Sequence, residues 1–94
     1  MPAQAKGTMQ EDNAVTRVTL WSFPPHGETG FHRHEYDYVV VPLSTAPLTI
    51  VDKQGRASPA QLTAGASYFR KAGVEHNVIN ASDREIAFVE IEFK

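Results

Sequence analysis

The sequence predicts an all-β fold, a sandwich or barrel of short strands. Short β-rich runs recur along the chain, and turn residues separate them at regular intervals. No segment shows a convincing run at helical period.

Residues 1–13 are polar and lack periodicity, so they read as a flexible segment ahead of a single domain over 14–94. Residues 15–23 are β-rich and end at Pro24-Pro25, which cannot continue a ladder. A Pro/Gly loop over 26–30 leads to the strongest strand region, 31–42. Its second half, Tyr38-Val39-Val40-Val41, is apolar on both faces, as in a strand covered on both sides. Residues 48–51 form another short strand, closed by Asp52-Lys53-Gln54-Gly55. Strands over 60–62, 67–70, 76–80 and 86–93 follow, with Gly65, Gly73 and Ser82-Asp83 in the turns between them.

Ninety-four residues make one domain, small enough that a bound metal or an oligomer would help it. A net charge of -2 with mixed signs argues against a nucleic-acid surface. Without cysteine there is neither a disulfide framework nor a thiolate metal site. No stretch approaches a membrane span, and the N-terminus carries no apolar signal region. A cytoplasmic location is the expectation.

His32 and His34 are the most informative residues. On a strand, positions i and i+2 point to one face, so the two imidazoles can aim at one point. Alternation places His32, His34, Tyr36, Tyr38 and Val40 on that face. Arg33, Glu35 and Asp37 take the other, which is the wetter because charges are expensive to bury. His76 shares a face with Val78 and Asn80, and a third imidazole from its strand would complete a facial metal site. Three inward imidazoles without partners would cost a few kcal/mol each, at about 1–3. A shared metal removes that cost. Neutral imidazole suits zinc, nickel, iron or copper, and three such ligands leave positions open for water or a small molecule. His26 lies in the Pro/Gly loop and reads as a loop residue.

These residues resemble the two sequence motifs of the cupin superfamily. The first cupin motif places two histidines at i and i+2 and a glutamate four residues beyond the second. The second runs from a glycine through a proline and another glycine to a histidine, then an asparagine four later. Gly30-Phe31-His32-Arg33-His34 resembles the start of the first, and Gly65, Gly73, His76 and Asn80 match the second. The resemblance spans 30–80 and implies a double-stranded β-helix (jelly-roll) barrel with one metal inside. Residues 32–42 and 68–80 are also similar in wording to small cupins associated with β-alanine degradation.

The chain departs from the pattern at three points. The glutamate position is Tyr38, with Asp37 adjacent but turned outward by alternation unless a bulge re-aims it. The first-motif glycine is displaced to Gly27, and the second-motif proline is Lys71. Three-histidine iron sites occur among cupin thiol and diketone dioxygenases, so the resemblance remains compatible with catalysis.

Tyr38 is the candidate catalytic residue: it could ligate, donate to a bound anion, or act as an acid. Alternatively it fills the core. Arg70 and Lys71 could attract an anionic substrate, or be a solvated turn. Glu90 and Glu92 alternate with Val89, Ile91 and Phe93, and the expectation is that both carboxylates face water. Trp21 and Phe23 read as core or dimer contact. Val39 and Val41 lie opposite in parity to the histidines and need a cover. That points to a homodimer, unless the N-terminal segment folds back over them. The expected function is metal-dependent binding of a small molecule, with dioxygenase-like or Lewis-acid chemistry on a small acid, carbonyl or thiol compound. The alternatives are a non-catalytic binding or sensing module and a metal-free structural dimer.

Overall fold

The computed structural model describes residues 3–94. It contains nine strands and, among the described residues, no helix. They are β1 (Lys6–Asp12), β2 (Thr16–Phe23), β3 (His32–Arg33), β4 (Asp37–Pro42), β5 (Ala46–Asp52), β6 (Ala57–Leu62), β7 (Tyr68–Arg70), β8 (Glu75–Asn80) and β9 (Ile86–Phe93). Two sheets face each other, one ordered β1-β2-β9-β4-β7 and the other β3-β8-β5-β6. Every strand pairing is antiparallel. This is the all-β barrel architecture expected from the turn spacing.

Two elements differ from the sequence reading. Lys6–Asp12 is a strand, not a flexible segment, and pairs with β2 across its length with one bulge between Met9 and Glu11. All seven residues are exposed, so no burial alternation marks the strand; backbone pairing with β2 defines it. Gly7 lies over Trp21, where an added Cβ would meet the ring at 3.0 Å. The beginning of the 1–13 expectation, Met1 and Pro2, lies outside the described residues.

The second difference is at 31–42, which is two strands rather than one. β3 belongs to the four-stranded sheet and β4 to the five-stranded sheet, so residues 34–36 carry the chain from one to the other. His34 anchors this crossing through its backbone. Its N–H donates to Val74 O at 2.9 Å, and its carbonyl accepts from Gly73 N at 2.8 Å. Gly73 holds φ at 97°, a conformation that favours glycine.

The core lies between the sheets. Phe23, Tyr38, Val40, Leu48, Val78 and Phe88 are buried there, with the Phe23 and Phe88 rings 5.4 Å apart. Asn80 closes one end. Fully buried, it donates to Pro24 O at 3.0 Å and Arg84 O at 2.7 Å, and accepts from Ser82 N and Ser82 Oγ. The second-motif asparagine therefore works as a loop clasp.

Candidate metal centre

The histidines converge from three pieces of chain. β3 and β8 pair in a register that sets His32 directly opposite His76. His34 arrives from the crossing segment. His34 Nε2 lies 3.0 Å from His32 Nε2 and 3.2 Å from His76 Nε2. Nitrogens this close together would suit three donors to one metal ion.

The protonation states also suit ligation. His32 Nδ1 lies 2.9 Å from Gly30 O, a carbonyl that can only accept, so Nδ1 carries the proton and Nε2 keeps its lone pair. The Thr29 hydroxyl sits 3.3 Å from the same Nδ1 and accepts from Val78 N. Burial, then the neighbouring His32, lowers the pKa of His34 to about 4. Burial, His32, His34 and Arg70 lower that of His76 to about 4 as well. Both rings are neutral at pH 7, the form a metal requires.

Tyr38 points inward, as its parity predicts, and is almost fully buried. Its ring stacks on His34, with centroids 3.9 Å apart and planes at 17°. Burial pushes its phenol pKa up, so the group stays neutral at ordinary pH. Asp37 points outward and accepts a hydrogen bond from Ala72 N at 2.8 Å. It does not take the missing glutamate's place. His26 is exposed and adopts a φ of 58° in its loop, apart from the three-histidine cluster.

Glu90 and Glu92 correct the expectation of water-facing carboxylates. Both are buried, at 8% and 7% exposure, and line the barrel interior. In register, Glu92 lies beside Tyr38 and Glu90 beside Val40. Arg17 neutralises Glu92 through two bonds of 2.8 and 3.0 Å. Glu90 Oε1 lies 3.8 Å from His34 Nδ1, the ring nitrogen turned away from the histidine cluster. Burial and the charge of Glu92 raise the Glu90 pKa to about 7. A carboxylate thus stands beside the site, supplied by β9 rather than by the strand that carries Tyr38. Alternation separates the two faces of β9 without saying which is inside, because the other face (Ala87, Val89, Ile91, Phe93) is wholly apolar.

His34, Glu90 and Glu92 form a second possible ligand group within 4.8 Å. Glu92 is already committed to Arg17, so the three-histidine group is the better metal site. It opens into a cavity of about 760 Å³, lined also by Trp21, Tyr68, Arg70 and Glu90.

The cupin domain profile matches residues 19–92. Over 91 residues the chain is 57% identical to the beta-alanine degradation protein BauB of Pseudomonas aeruginosa, covering 97% of this chain and 95% of that one. A crystal structure of a cupin domain from Bordetella pertussis Tohama I shares 55% identity and a TM-score of 0.96, covering 100% of this chain and 97% of the other. The fold extends to a cupin superfamily protein of Desulfitobacterium hafniense at 12% identity, with a TM-score of 0.74 over 99% of this chain and 80% of that one. The motifs around the three histidines, the two facing sheets and these matches lead to one conclusion: the chain belongs to the cupin family.

Proposed function

We propose that the chain holds one divalent transition metal on His32, His34 and His76 and binds a small molecule in the cavity beside it. The convergence of the His32 and His76 Nε2 atoms on His34 Nε2, at 3.0 and 3.2 Å, carries this reading. Zinc, nickel, iron or copper fits an all-imidazole donor set. When bound, the metal supplies Lewis-acid or oxygen-activating chemistry toward a small acid, carbonyl or thiol compound. Glu90 faces the outer nitrogen of His34 at 3.8 Å, where its ionised form would orient the ring. Tyr38 stacks on His34 and contributes a neutral phenol to the cavity wall. The likeness to a protein named for β-alanine degradation supports a small acid as ligand. The working unit in this reading is a homodimer in the cytoplasm, formed through the apolar outer face of the five-stranded sheet.

Metal analysis of protein purified without a tag or chelator tests the site. Wild type and His26→Ala should carry close to one metal per chain. His76→Ala should lose most of it, and the metal's contribution to thermal stability with it. Full metal content in His76→Ala would overturn the assignment. Dioxygen uptake and turnover, measured with a panel of small acids and thiols, separate catalysis from binding alone.

A further inference from the structure

We infer that Arg70 is the anchor for a carboxylate group of the ligand, which makes the ligand a small carboxylic acid. The inference rests on the metal reading for where the ligand's other end lies. β7 pairs with β4 so that Arg70 stands directly opposite Tyr38, on the face that looks into the barrel. Side chains directly opposite in a sheet are immediate neighbours. The Tyr38 ring in turn stacks on His34. Arg70 is therefore one side chain removed from the histidine cluster, and it lines the same cavity.

Its guanidinium is held but not neutralised. It lies over the Tyr68 ring, 4.5 Å from the centroid, and donates one hydrogen bond, from Nη1 to Phe69 O at 3.1 Å. Of the three arginines lining the cavity, Arg17 pairs with Glu92, and Arg33 lies 3.6 Å from Glu75. Among the described residues, Arg70 has no carboxylate within 4 Å. Its remaining N–H groups match the two oxygens of a carboxylate. Glu35 and Glu90 line the same cavity, so one guanidinium suits a monoanion better than a more highly charged group. A ligand with its carboxylate on Arg70 would turn its other end toward the open side of the histidine cluster.

The probes are glycolate, 3-hydroxypropionate and 4-hydroxybutyrate, each compared with its amide. Trp21, the chain's single tryptophan, lines the cavity and reports binding by its fluorescence. At least one acid should bind roughly 10-fold or more tightly than its amide. Arg70→Met should weaken that acid by roughly 10- to 100-fold and leave the amide unchanged, with Arg70→Lys between the two. Lys71→Ala should behave as wild type. Equal binding of acids and amides, no binding of any acid, or an unchanged acid affinity in Arg70→Met would overturn the assignment. Metal content is measured on the same samples. Metal-free wild type that still shows the Arg70-dependent preference would sink the metal reading and uphold the anchor. Metal-loaded protein without the preference would do the reverse.

Discussion

Within the site, chemistry turns on which groups stay neutral. In metal-free protein, His34 and His76 hold off protonation until about pH 4, whereas ordinary histidine protonates near 6.5. Between those values the unfolded chain binds more protons, so stability falls as pH drops through that window. Glu90 acts in the opposite sense. It stays protonated up to about pH 7 against an ordinary 4.5, so it lowers stability as pH rises through that range. Two histidines outweigh one glutamate, and the net effect is loss on acidification. Glu90→Gln removes the offsetting group. At pH 8 the metal-free variant should be more stable than wild type by on the order of 2 kcal/mol, and the difference should vanish by about pH 4.5. Denaturant melts at the two pH values check this; a pH-independent difference would reject it. Tyr38 stays a neutral phenol stacked on the His34 ring, so wild type loaded with ferric or cupric ions should show no tyrosinate charge-transfer band. A band that disappears in Tyr38→Phe would instead make the phenol a ligand. Parity placed Tyr38 inside, but its contact with the His34 ring depends on where the crossing segment runs.

At the scale of elements, the site depends on residues outside its three histidines. Asn80 sits two residues beyond Val78 on the strand that carries His76 and clasps the loops at Pro24, Ser82 and Arg84. Asn80→Ala leaves two carbonyls and the Ser82 donors without this partner. The expected cost is about 2–4 kcal/mol, read from the denaturation midpoint, with metal affinity retained in the folded fraction. A change below about 0.5 kcal/mol, the size of an ordinary surface substitution, would show that water replaces the clasp fully. β8 and β9 were legible from the sequence almost to the residue, because turns bound them and their residues alternate. β1 was not: with every side chain exposed, nothing in its composition separates a paired edge strand from a loop. The break between β3 and β4 was hidden for the opposite reason. The run is β-rich throughout, and the point where a strand leaves one sheet for another is set by its partners.

For the whole molecule, the outer face of the five-stranded sheet is the unfinished surface. Val18, Leu20, Val39, Val41, Val89 and Ile91 lie there in neighbouring strands, flanked by exposed Phe69 and Phe93. The N-terminal strand does not cover them, because it extends the sheet beyond β2 instead of lying over β4. A contiguous apolar sheet face of this kind fits a second copy related by a two-fold axis. Light scattering at low micromolar concentration should give about twice the 10.4 kDa chain mass. Ile91→Glu, which places a charge in the middle of that face, should shift the mass toward one chain and leave metal content unchanged. A wild-type monomer under the same conditions would refute the pairing.

The sequence by itself determined the all-β class, the strand that carries His76, and the inward parity of Tyr38. Strand periodicity and turn chemistry are local, so they can be read along the chain. Only the tertiary structure decided the place of Glu90 and Glu92. Their strand is alternating but has large side chains on both faces, and the buried polar end of the barrel takes the acidic face because Arg17 waits there. Tertiary structure also set the partnership of Arg70 with Tyr38, since strand register joins residues far apart in sequence. Local pattern tells a strand that it has two faces. Which face becomes the inside depends on the charges and rings that the other strands bring to meet it.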